Sequence, residues 1–176
     1  MSGTIEARGN IQSLTNFSNT ASTYCYWAMF HSCERLVDIS NLKFPATTFG
    51  EQPYGRMFSG CINLSAGPTV LPATTLTMGT YAQMFWNCTS LLASPDIKAT
   101  SISPRLCIYG MFCRCAALTS ITVHFTSWEE TNGQSNSLEW VKNVNANGTF
   151  YHPAGLTDLT KDDNKVPTNF TTQVIS

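Results

Sequence analysis

The residues best suited to chemistry in this chain are seven cysteines and three histidines. A thiol beside an imidazole can serve as a nucleophile with its base, or as part of a zinc site. His31 and Cys33 form a His-x-Cys pair and Cys113 and Cys115 a Cys-x-Cys pair, yet no second pair completes zinc-finger spacing. Cys113 with His124 is a candidate nucleophile and base, set against the reading that these cysteines are buried and inert. Asp38 and Asp96 fall near strand-like segments, from which both could reach a shared groove. Glycoside hydrolysis needs two carboxyl groups at a set separation, which spacing in sequence does not supply, so both also read as solvated surface acids. There is no glycine-rich phosphate loop. Asn-x-Ser/Thr triplets at Asn16, Asn63, Asn87, Asn147 and Asn169 are what so Thr- and Asn-rich a composition produces by chance. The expectation is a protein with no catalytic residue, no metal ligand and no cofactor.

Four of the cysteines belong to a larger pattern. Met29-Phe30-Cys33-Leu36, Met57-Phe58-Cys61-Leu64, Met84-Phe85-Cys88-Leu91 and Met111-Phe112-Cys115-Leu118 recur at spacings of 28, 27 and 27 residues. Such a period marks a solenoid, in which one repeat buries its apolar face only by stacking on the next. Equal phases then lie above one another, so these sixteen residues form an internal ladder and the thiols act as small reduced hydrophobes. Cys25 and Cys107 share a position four before the Met, while Cys113 falls outside the core phase.

Tyr26, Tyr54, Tyr81 and Ile108 stand three before the Met, so the apolar offsets are 0, 3, 4 and 7. These lie on one face of a helix, predicting about two helical turns per copy. Trp27-Ala28, Gly55-Arg56 and Ala82-Gln83 then turn outward. The stretches Leu36–Phe44, Leu64–Leu71, Leu91–Ile97 and Leu118–Phe125 carry β-branched residues and predict short parallel strands. Pro45-Ala46-Thr47-Thr48 and Pro72-Ala73-Thr74-Thr75 end two of them, and Lys98-Ala99-Thr100-Ser101 is a worn version. The first spacing is 28 because Leu36 precedes its proline by nine residues and Leu64 by eight.

The fold class is therefore an α/β solenoid, leucine-rich-repeat-like, with short parallel strands on one face and short helices on the other. It divides into an N-terminal cap (1–23), a four-repeat array (24–125) and a C-terminal cap (126–176), all within one domain. Ile11, Leu14 and Phe17 would cover the first repeat. At the other end Leu138, Trp140, Val141 and Val144 predict a last helix. Gly148–Tyr151 predicts a closing strand, Lys161–Lys165 an exposed turn, and the region of Phe170 and Val174 a final segment.

Charged residues are only 12% and the net charge is −1, so no basic stripe exists for nucleic acid. No apolar run is long enough for a membrane span, and Met1–Ala7 has neither the basic start nor the hydrophobic stretch of a secretory signal. Outward positions vary between copies. Trp27, His31, Arg56, Gln83 and Trp86, with Asp38 and Asp96, are the candidate contact residues. Exposed aromatics on a hydroxyl-rich face suit glycan stacking or a protein interface, unless neighbouring loops cover them.

Tyr54–Leu64 with Val70–Leu76, and Tyr81–Leu91, carry a resemblance to the BspA-like branch of the leucine-rich-repeat superfamily, in the Met-Phe-x-x-Cys-x-x-Leu variant of gut bacteria and their phages. Trp140 and Gly148–Tyr151 are similar to that family's C-terminal unit, and Gly9-Asn10-Ile11 with Ser13-Leu14 to its N-terminal one; Ile108 and Lys98–Ser101 depart from the pattern. The resemblance implies a non-enzymatic surface protein that adheres to proteins, glycans or cells. A virion-surface recognition or decoration protein of tail-fibre or head-fibre type, which leaves its host by lysis and needs no signal, is the leading expectation. A bacterial cell-surface adhesin is the alternative and a glycan-active enzyme the weaker one. Expected partners are other virion or cell-surface proteins, glycan, and further copies of the chain in a homo-oligomer; neither nucleic acid nor membrane insertion is expected.

Overall fold

A computed structural model describes residues 3–15 and 18–175. Asn16 and Phe17 lie outside the described residues, as do Met1 and Ser2. The strands are short. They are β1 (Ile5–Glu6), β2 (Gly9–Asn10), β3 (Thr20–Ala21), β4 (Leu36–Asp38), β5 (Leu42–Lys43), β6 (Thr48–Phe49), β7 (Val70–Leu71), β8 (Ala93–Ile97), β9 (Ser120–Val123), β10 (Glu130–Thr131), β11 (Gln134–Ser135), β12 (Gly148–His152) and β13 (Phe170–Val174). Apart from the β10–β11 hairpin, every strand pairing is parallel.

The pairing differs along the chain. In the C-terminal half the order β13-β12-β9-β8-β7 makes one five-stranded sheet, whereas β1-β4, β2-β5 and β3-β6 remain separate pairs. Alternation explains the sheet: Ile121, Val123, Ile97 and Phe150 point inward and are fully buried. The predicted strand Leu36–Phe44 is broken into β4 and β5, and Leu64–Leu71 pairs as a strand only at Val70–Leu71. The sheet is interrupted where the first copy accommodates its spare residue. An apolar hollow of about 420 Å³ opens there, between Ser40–Pro45 and Thr69, Val70 and Pro72.

The helices expected over the Tyr-x-x-Met-Phe-x-x-Cys segments are absent, and so is the one expected around Trp140; the single helix among the described residues is a 3-10 turn at Ile11–Thr15. The backbone N–H groups show why. From Tyr54, even positions donate to the next copy (Tyr54 to Thr80 O, Arg56 to Ala82 O, Phe58 to Met84 O, Gly60 to Trp86 O). Odd positions donate three residues back (Gly55 to Gln52 O, Met57 to Tyr54 O, Ser59 to Arg56 O, Cys61 to Phe58 O). The alternation holds in all four copies and recurs in part around Trp140. An α-helix would spend every donor internally and leave nothing to join the copies. The chain instead runs as linked turns in which every fourth residue is left-handed: Tyr24, Ala28 and Ser32; Gln52, Arg56 and Gly60; Gly79, Gln83 and Asn87; Leu106, Gly110 and Arg114. Each non-glycine there costs roughly 1 kcal/mol, offset by hydrogen bonds between copies. Offsets 0, 3, 4 and 7 still face inward in this conformation, so the apolar pattern alone does not separate the two.

The core is a set of side-chain columns. Phe30, Phe58, Phe85 and Phe112 stack at centroid distances of 5.4, 5.6 and 5.7 Å, within 10° of parallel. Tyr26, Tyr54 and Tyr81 form a second column at 5.4 and 6.0 Å. The thiols of Cys61, Cys88 and Cys115 each donate, at 3.1 Å, to the carbonyl of Phe30, Phe58 and Phe85 in the preceding copy. The first copy departs from the expected ladder: Phe30 and Cys33 are half-buried and Met29 is 38% exposed, since among the described residues no further copy stacks on their outer side. Ile11 is buried, but Leu14, expected to cover this end, is 63% exposed. The opposite end is closed by Trp140, Phe150 and Phe170, all fully buried.

Candidate functional site

The thiols and imidazoles are accounted for first. Burial pushes the Cys61 and Cys107 thiols up to about 12, and holds Cys88 and Cys115 well above the ordinary value. Thiols held protonated in the core are poor nucleophiles and poor metal ligands. Cys113, read from sequence as outside the core phase, is only 4% exposed, because it sits beneath Trp86 and Arg114. His31 is exposed and its Nδ1 meets Ser32 Oγ at 2.9 Å. Among the described residues no three His, Cys, Asp or Glu side chains converge as metal ligands would.

His124 is engaged on the sheet. Its Nε2 lies 2.8 Å from Asp96 Oδ1, Lys98 Nζ lies 2.6 Å from Asp96 Oδ2, and Lys98 Nζ is 3.1 Å from His124 Nε2. Asp96 and Lys98 belong to one repeat and His124 to the next, so copy-to-copy stacking creates this cluster. Asp38 instead accepts the Ser40 N–H at 2.7 Å, and hydrogen bonding to Ser40, its hydroxyl first and its N–H second, holds the carboxyl below the usual range. The two acids named together from sequence thus serve separate hydrogen-bonded sets, Asp38 on β4 and Asp96 on β8.

On the turn face, Trp27, Arg56, Gln83 and Trp86 are gathered into adjoining hollows. The reason is the series at the position two before each Met: Trp27, Gly55, Ala82 and Tyr109. Two large aromatics are separated by two copies with almost no side chain there. At ordinary spacing for hydrogen-bonded chains the two end members stand roughly 14 Å apart. Trp27 lies down over Gly55, where a Cβ would come within 2.9 Å of its ring, and Gln52 and Gln83 pack over Gly79 and Gly110 in the same way. Gly55, expected to turn outward, is buried by that contact. What remains is a hollow of about 320 Å³ with Trp27 and Tyr109 as walls, Gly79 and Ala82 as floor, and Arg56, Arg105, Gln52 and Gln83 on its rim. Next to it, sharing Gln83 and Tyr109, lies a hollow of about 250 Å³ bounded by Trp86, Arg114, Glu139 and Lys142. The Arg114 guanidinium sits 5.3 Å above the Trp86 ring, a cation–π contact.

The open question about the tryptophans is thereby resolved by position: Trp27 is 44% exposed, while Trp86 is half-covered by Arg114. Sequence reasoning missed Gln52, Arg105, Tyr109 and Arg114. Tyr109 had a signal, since it occupies the same slot as Trp27. Arg105 and Gln52 lie before the motif and become neighbours of the hollow only through stacking. No protein-family model, curated protein or solved structure is significantly similar to this chain.

Proposed function

We propose that the chain is a non-enzymatic recognition or decoration module, built as a leucine-rich-repeat-like solenoid of the BspA-like type, that meets its partner through the turn face. The observation that carries this reading is the aromatic-walled hollow between Trp27 and Tyr109, in a molecule that buries five of its seven thiols. A concave, partly apolar recess with a few convergent polar groups is the usual form of a ligand site. The phage virion surface is the setting we favour, in a tail or head fibre, with a bacterial cell-surface adhesin as the alternative. Seven thiols without a disulfide among them suit a chain folded in a reducing compartment before it is displayed. Partners would be other surface proteins, glycan, and further copies of the chain.

The test is binding of the purified protein to a glycan array and to candidate host cells, with antibody labelling of intact phage particles. Binding lost on Trp27→Ala with folding retained supports the reading; no binding to any surface overturns recognition and leaves structural decoration. A glycan-active enzyme has one observation in its favour, the Asp96–His124–Lys98 cluster. Polysaccharide cleavage abolished by Asp96→Asn would replace the binding reading.

A further inference from the structure

Resting on the reading of the turn face as a recognition surface, the geometry points to a binding site for a carboxylated sugar in the hollow between Trp27 and Tyr109, its carboxylate held by Arg56 and Arg105. Two cations line this hollow and no Asp or Glu does. Among the described residues neither arginine has an acidic partner. Arg56 is the stronger indication: its Nε is sealed from solvent and has no acceptor, so no protein group compensates the charge at that end. A guanidinium suits a planar carboxylate because its donors match both oxygens.

The remaining lining selects the body of the ligand. Trp27 and Tyr109 supply aromatic surface against which a pyranose can pack, and Gln52 and Gln83 supply donors and acceptors for hydroxyl groups. A volume of about 320 Å³ suits one or two sugar rings rather than a long chain. An acidic peptide is the competing anion, but it gains affinity by pairing its backbone with free donors and acceptors. The floor has few free donors. The N–H groups of Gly79, Thr80, Tyr81, Ala82 and Gln83 all bond to carbonyls within the protein. The site therefore favours side-chain recognition of a ring bearing a carboxylate.

Calorimetric titration with a galacturonate oligosaccharide, its carboxyl-reduced neutral counterpart and a glutamate-rich peptide tests this. The acidic sugar is expected to bind at least about tenfold more tightly than either comparator, and less tightly as salt is raised. Arg105→Gln, at an exposed position, is expected to weaken binding by about tenfold with unchanged thermal unfolding, and Arg56→Gln by more. Tyr109→Ala should weaken the acidic sugar without changing the preference for the carboxylate. Equal binding of the reduced sugar, tighter binding of the peptide, or indifference to Arg105→Gln overturns the site. If neutral glycans or cells still bind under those outcomes, the recognition reading survives without it. If nothing binds on array or cells, both fall.

Discussion

The first copy of the repeat and the third carry the same motif and differ in what the motif achieves. Phe85 is sandwiched between Phe58 at 5.6 Å and Phe112 at 5.7 Å, whereas among the described residues Phe30 stacks only on Phe58. Met84 is fully buried and Met29 is 38% exposed. The backbone shows the same asymmetry. The carbonyls of Pro53, Gly55, Met57 and Ser59 accept from the first copy, but those of Cys25, Trp27, Met29 and His31, at the same positions, have no donor among the described residues. The C-terminal end is finished. Asp163 O accepts the Val141 N–H at 3.2 Å, Asn164 Oδ1 accepts the Glu139 N–H at 2.7 Å, and Lys165 O accepts the Trp140 ring N–H at 2.7 Å. A Met-Phe segment is thus stabilised by having two neighbours, and the first one, which among the described residues has one, leaves Met29 at the surface.

The largest test of that contrast is truncation within the phenylalanine column. Phe85→Ala is expected to cost about 3–5 kcal/mol, the usual loss for a fully buried aromatic. Phe30→Ala should cost about 1–2 kcal/mol, since part of its surface is already wet. Urea unfolding of the two variants measures both, and equal losses would show that the first copy is as well covered as the third.

A smaller effect separates the ends by pH. Lys165 Nζ, 2.5 Å from Asp158 Oδ2, together with the Thr160 hydroxyl, holds the Asp158 carboxyl down at about 2. The unfolded value is about 3.9, so this contribution is complete above that pH and fades as pH falls toward 2. The group is 48% exposed, which limits the gain to about 1 kcal/mol or less. The Trp128 ring N–H donates to Asp158 O at 2.7 Å, so tryptophan fluorescence follows the closure directly. Asp158→Asn should be less stable than the native chain near pH 6, with the difference shrinking as pH falls toward 2. A constant difference across that range would remove Lys165 as the cause.

The smallest effect concerns the backbone. Ala28 holds φ at 53° in the first copy, in the slot that Gly110 fills in the fourth. Ala28→Gly should raise stability by up to about 1 kcal/mol, because glycine meets no penalty there. A loss on thermal unfolding would mean that the first copy's turns gain more from a restricted unfolded chain than from relief of strain.

How much was legible follows from particular residues. The inward columns were readable because Tyr, Met, Phe, Cys and Leu return at one phase, and from the second copy to the fourth burial follows that phase. The strands β8, β9 and β12 were readable from β-branched residues, alternation and their bounding turns, whereas the region that forms β13 was legible only as a final segment. The conformation of the Met-Phe segments was not, since a helix and a chain of linked turns place offsets 0, 3, 4 and 7 on the same side. Of the candidate site, Trp27, Arg56 and Gln83 were found as outward residues. Arg105 and Tyr109 were not, because a rim shared by neighbouring copies has no contiguous signature.

By itself the sequence determined the period, and with it which side chains face inward and which vary on the surface. Only the tertiary structure decided where each backbone donor goes. That choice depends on a neighbouring copy being present to accept it, and it sets both the turn conformation and the hollow between Trp27 and Tyr109.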